Sequence, residues 1–152
     1  MRLQAALISK QVYDAIGGHD ASLRISMDLD LAFRIFMNST VAYLDKPLFT
    51  YRKHEGNIGR NEELRLTENI WVIEKLLRDC PAARDLLGAR AVTRRLAYRY
   101  YRLAKGRWRR HSFAAARQAI EQAVSLRPLH LKYRFYRFRW GHGMAKSLIN
   151  GI

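Results

Sequence analysis

One cysteine, Cys80, stands in a chain of 152 residues. A lone thiol excludes an intrachain disulfide framework and a cysteine-rich zinc site, which fits a reducing compartment. Prolines number three, and each sits where an element would start or stop. No apolar run approaches the roughly eighteen residues a membrane-spanning helix needs, and the opening MRLQAALISK lacks the apolar stretch of a secretory signal. The chain contains no GxGxxG, no GxxxxGKS/T and no HExxH, so dinucleotide, P-loop and zincin readings are unavailable. Acids are scarce as well, with 13 Asp or Glu against 28 Lys or Arg.

What is present suffices for a folded core, since 49% of the residues are hydrophobic and the length suits one domain or one and a half small ones. The cationic surplus is uneven. Residues 1–60 hold 8 Lys or Arg against 6 Asp or Glu, a surplus of +2, whereas residues 61–152 hold 20 against 7, a surplus of +13. This split predicts two modules, 1–60 and a basic helical 61–152, with an anionic partner for the second.

Hydrophobic spacing then sets the elements. Ser9 can cap a short helix with Val12, Ala15 and Ile16 inward, stopped by Gly17-Gly18. Ser26 can cap a second, running through Leu29, Leu31, Ala32, Ile35 and Phe36 to Asn38. Leu7-Ile8 reads as the end of a strand, and residues 40–44 and 48–52 as two more around the turn Asp45-Lys46-Pro47. Further helices are predicted over 62–78, from Pro81 to near Gly88, over 91–105 with an interruption at Gly106, and over 112–126. The order Leu103, Ala104, Gly106, Trp108, Ala115, Ala116, Ala119, Ile120, Ala123, Pro128 reads as one tetratricopeptide-type hairpin. One such repeat falls short of the about three a solenoid needs, so it is expected as a helical hairpin capping the first module.

Candidate chemistry is sparse. Asp28 lies at a helix N-terminus, where free N–H groups hold a carboxylate ionised and able to take a proton from a hydroxyl; the plainer alternative is a first-turn acid contributing about 0.3–1 kcal/mol. Asp30, two residues on, cannot share its helix face. His54 follows Tyr51-Arg52-Lys53, where an imidazole can hold a divalent metal or a diphosphate and Arg52 can neutralise phosphate; the alternative is a solvated basic turn. A long arginine series, Arg94 to Arg110, leads to Lys132, Arg134, Arg137 and Arg139 interleaved with Tyr133, Phe135, Tyr136, Phe138 and Trp140. The first reading of that terminus is a helix packed by its aromatic face with arginines outside, the second an anionic membrane surface, and the third nucleic acid, for which no recognised module is present.

Three motifs carry a resemblance. Ala6 to Asp20 with its Ile16-Gly17-Gly18-His19-Asp20 turn, Met27-Asp28-Leu29-Asp30-Leu31-Ala32-Phe33-Arg34, and Leu44 to Asn57 with Tyr51-Arg52-Lys53-His54 resemble the C-terminal catalytic portion of family 2 glycosyltransferases. The resemblance implies the GT-A fold, and hence an α/β fragment followed by a mostly helical region. It implies inverting transfer of a sugar from a nucleotide-sugar donor to a hydroxyl acceptor in surface glycan synthesis, with Asp28 as general base. Arg52 and His54 would face the diphosphate, with His54 reaching Mg²⁺ or Mn²⁺. Met27 departs from the family's glutamate and His19 from its phenylalanine. The family's donor- and metal-binding half precedes the matching segment, so the isolated chain is expected to be incomplete as an enzyme and to need that half for nucleotide-sugar and glycan partners. The competing expectation is a non-enzymatic helical adaptor, or a cytoplasmic protein held peripherally on the inner face of the plasma membrane by residues 132–146.

Overall fold

The computed structural model describes residues 5–50 and 60–149. Among them are seven α-helices and no strand. The chain divides into two compact units, Met1–Asp79 and Cys80–Ile152.

In the first unit, α1 (Lys10–Ala15) stops at a turn in which Gly17 and Gly18 take φ of 77° and 65°. These left-handed conformations favour glycine. A Cβ on Gly18 would also come within 3.0 Å of the Tyr13 hydroxyl, which pairs with His19 Nδ1 at 2.9 Å. The next helix, α2 (Met27–Asn38), buries Leu31, Ala32 and Ile35. It packs on α3 (Glu62–Asp79), whose buried side carries Leu66, Ile70, Val72 and Ile73. Both follow the three-and-four spacing of an amphipathic helix.

The α/β reading is overturned here, and the resemblance to GT-A glycosyltransferases with it. Residues 40–50 form no strand and are exposed, with Tyr43 at 87%, Leu44 at 58% and Leu48 at 56%. Leu7-Ile8 forms none either. A strand persists only where its N–H and C=O groups find a neighbouring edge, and an isolated pair of short strands is unstable without a third strand or a covering helix. Residues 40–50 have no such edge among the described residues, and Pro47 offers no N–H for a ladder.

The second unit consists of α4 (Ala83–Leu86), α5 (Ala89–Arg109), α6 (Phe113–Leu126) and α7 (Leu131–Ile149). Helix α5 continues through Gly106, where a break was expected. A mid-helix glycine costs only about 1 kcal/mol relative to alanine, less than the packing its neighbours gain. A tight turn with His111 at φ 60° brings α6 back along α5. Ala97 and Ala104 on α5 and Ala116 and Ala123 on α6 are fully buried, so small side chains let the two backbones approach. Between α5 and α7 the filling is aromatic. Tyr101 meets Tyr133 and Tyr136 with ring centroids at 5.2 and 5.4 Å. Trp108 stacks on Trp140 at 4.8 Å and takes the edge of Phe113 at 4.7 Å. Ring pairs at such separations contribute beyond the area they bury.

Candidate functional site

The polar residues that carried the resemblance are largely engaged inside the first unit. Asp30 is 3% exposed, and its Oδ2 accepts hydrogen bonds from Arg34 Nε at 2.8 Å and Nη2 at 2.6 Å. Arg34 also donates to the carbonyl of Ile16, tying α2 to the glycine turn. Lys75 of α3 donates to Asp20 at 2.9 Å and Asp30 at 3.1 Å. Burial works to lower the Lys75 ammonium, yet the two carboxylates hold it above its ordinary value. The Ser22 hydroxyl, followed by Lys75, draws Asp20 down to about 2.

Glu68 completes the frame. The Ser26 side chain makes no cap bond to α2; instead the Glu68 carboxylate accepts the backbone N–H groups of Arg24, Ile25 and Ser26 at 2.9, 2.8 and 2.8 Å. Desolvation opposes its charge, but the three donors win and its pKa lies below the usual carboxylate value. Buried and fully engaged, it fixes the entry to α2 from α3.

Asp28 lies half-buried in the first turn of α2 and makes no side-chain hydrogen bond or ion pair among the described residues. Arg52 and His54 lie outside the described residues. No group of three His, Cys, Asp or Glu converges on a common point among the described residues. With neither a sheet to hold a donor nucleotide nor a metal-binding cluster among those residues, membership of the inverting glycosyltransferases and their reaction are not supported.

A different site emerges in the second unit. An open cleft of about 770 Å³ lies between the start of α5, with Ala89, Arg90, Ala91, Thr93 and Arg94, and the α6 to α7 connection, with Leu126, Arg127, Pro128, Leu129 and His130. Arg90, Arg94, Arg127 and His130 are among its lining residues, and no Asp or Glu is. The first turn of α5 contains no acid either, so its N–H groups add to the positive field rather than being offset.

Packing holds the lower wall in place. The His130 ring stacks on Tyr133 at 3.8 Å, and Tyr133 is buried between α5 and α7. Burial pushes the Tyr133 phenol above its ordinary value against the pull of Arg127, and burial beside Tyr136 pushes Tyr101 up to about 12. These phenols stay neutral at physiological pH, leaving the field to the cations. Leu129 is 85% exposed beside them, so the cleft offers positive charge next to an apolar surface.

Arg90 and Arg127 escaped the arginine series read from the sequence. Arg90 sits two residues after Gly88, whose φ of 79° marks the start of α5, and Arg127 directly precedes Pro128. Those breakers placed both at helix ends, where the turn of the chain points distant residues at one space. Comparison with protein-family models, with curated proteins and with solved structures gives no significant match.

Proposed function

We propose that the chain is a non-enzymatic helical adaptor whose second unit holds an acidic, partly apolar segment of a partner protein in the cleft between α5 and the α6 to α7 connection. One observation carries the reading: Arg90, Arg94, Arg127 and His130 line a single cleft that contains no carboxylate. The surrounding unit strengthens it. Residues 80–152 hold 17 Lys or Arg against 2 Asp or Glu, so acids within the unit can neutralise little of its charge. Guanidinium forks bind carboxylates in bidentate fashion, and the exposed Leu129 suits an apolar side chain between two acids. Complementary charge of this kind sets register and speeds encounter more than it adds affinity, as suits an adaptor that exchanges partners.

The test is fluorescence anisotropy with a labelled peptide of alternating glutamate pairs and leucines. Binding should weaken as salt rises from 50 to 300 mM, and the double change Arg90→Gln with Arg127→Gln should cost about tenfold in affinity. Equal binding by that variant, or equal binding of a peptide with glutamine in place of glutamate, would exclude the cleft as the site.

A further inference from the structure

The outward side of α7 presents a second feature that the cleft does not use. Tyr133 and Trp140 point into the unit, at 3% and 4% exposure. On the opposite side, Leu131, Phe135 and Phe138 recur at spacings of four and three and therefore share one stripe. They are exposed at 79%, 55% and 65%. Aromatic side chains of this size usually gain their stabilisation by burial, and the inward positions of α7 are already filled by other rings.

The stripe has cations on both flanks. At about 100° per residue, Lys132 and Arg139 fall along one side of it, and Arg134 and Arg137 along the other. No Asp or Glu occurs anywhere in α7. An apolar ridge with cations on each side, on a convex helix surface, differs from the concave cleft that would take a peptide. It matches a planar target: rings entering the headgroup layer while the arginine stems spread sideways to lipid phosphates; Lys132 instead holds its Nζ 5.3 Å from the Tyr101 ring centre. Each cation near an anionic surface adds attraction, and the rings supply the apolar component that charge alone lacks.

We infer that the face of α7 formed by Leu131, Phe135 and Phe138, flanked by Arg134, Arg137 and Arg139, docks on the surface of a bilayer containing anionic lipid. Helix α7 lies in the plane of the headgroups and does not cross them; among the described residues no helix is long and apolar enough to span a membrane. The packing of Trp140 on Trp108 holds the helix so that the stripe faces outward before any lipid is met. This inference is independent of the cleft, since none of its residues lines it.

The experiment is co-sedimentation of the full chain with vesicles of phosphatidylcholine alone and of phosphatidylcholine with 30% phosphatidylserine. Binding should be at least about tenfold stronger to the anionic vesicles and should weaken between 50 and 300 mM salt. Phe135→Ser with Phe138→Ser leaves the charge unchanged and should lower binding about tenfold, while Phe135→Leu with Phe138→Leu should restore it. Far-UV circular dichroism of both variants, expected to be unchanged from the parent, checks that the helices are intact. Binding that is equal on neutral vesicles, or untouched by the serine pair, would overturn the inference. So would a single-stranded oligonucleotide that binds tightly and loses its affinity with the same serine pair while vesicles are ignored, because the stripe would then be a base-stacking platform.

Discussion

Residues 1–79 and 80–152 solve the same problem by opposite means. The first unit contains 11 Lys or Arg and 11 Asp or Glu, and it buries two of them: Asp30 and Glu68, with the half-buried Lys75 and Arg34, join its helices through hydrogen bonds. The second carries the entire net charge of the protein, +15, and buries none of it among the described residues; its helices are held by alanines on one side and rings on the other. The difference teaches how a chain so cationic folds. Buried charges must be matched, so a module with two acids has to keep its arginines outside and close its core with neutral side chains.

The largest effect is expected from removing the aromatic interlock. Trp140→Ala should destabilise the second unit by about 4 kcal/mol, read from urea unfolding and from lost amide protection over residues 92–140. A loss below about 1 kcal/mol would mean that rings between α5 and α7 do not hold the unit. Next comes the polar frame. Glu68→Ala removes the acceptor of three backbone N–H groups and should cost about 3 kcal/mol, with protection falling first at residues 24–26. If the loss instead began in α6, the contrast between the units would fail.

Titration separates the two without mutation. Asp20 is drawn from 3.8 to about 2 and Glu68 is lowered from 4.5, so their stabilisation is complete above those ordinary values; that of Asp20 is lost as pH falls toward 2, and that of Glu68 as pH falls below 4.5. Acid should therefore open the first unit while the second keeps its amide protection. On the alkaline side the signs reverse. Tyr101 is raised from 10.0 to about 12, so its contribution is present below pH 10 and lost as pH climbs toward 12. Tyr101→Phe should blunt the alkaline loss. Lys75, also raised, adds an alkaline loss in the first unit above 10.5, so the acid limb gives the sharper contrast. The smallest effect is expected at the surface pair Arg117 and Glu121, 3.0 Å apart and about half exposed on each side, where Arg117→Ala should change stability by no more than about 0.5 kcal/mol.

Helix periodicity made several elements legible before any coordinates. The apolar spacing from Leu29 to Phe36 and from Leu66 to Leu77 marks α2 and α3 to within a residue or two. The segment 40–50 misled because short apolar runs around a turn are a local pattern, whereas a strand depends on a neighbour that the pattern does not report. Of the two acids at the start of α2, sequence spacing shows that they diverge, and the structure places Asp30 in the internal frame; its partner Lys75 lies 45 positions away, invisible to any local rule. The cleft was illegible for the same reason. Arg90 and Arg127 share it only because α5 and α6 fold back on each other.

The reach of Glu68 bears on the order in which the protein is made. The amides of residues 24 to 26 find their acceptor 42 to 44 positions later, so the entry to α2 can be secured only once α3 is present. The hairpin of α5 and α6, joined by a three-residue turn, closes almost as soon as its second arm appears. Synthesis would thus assemble the amino-terminal half by delayed capture and the carboxy-terminal half by immediate zippering.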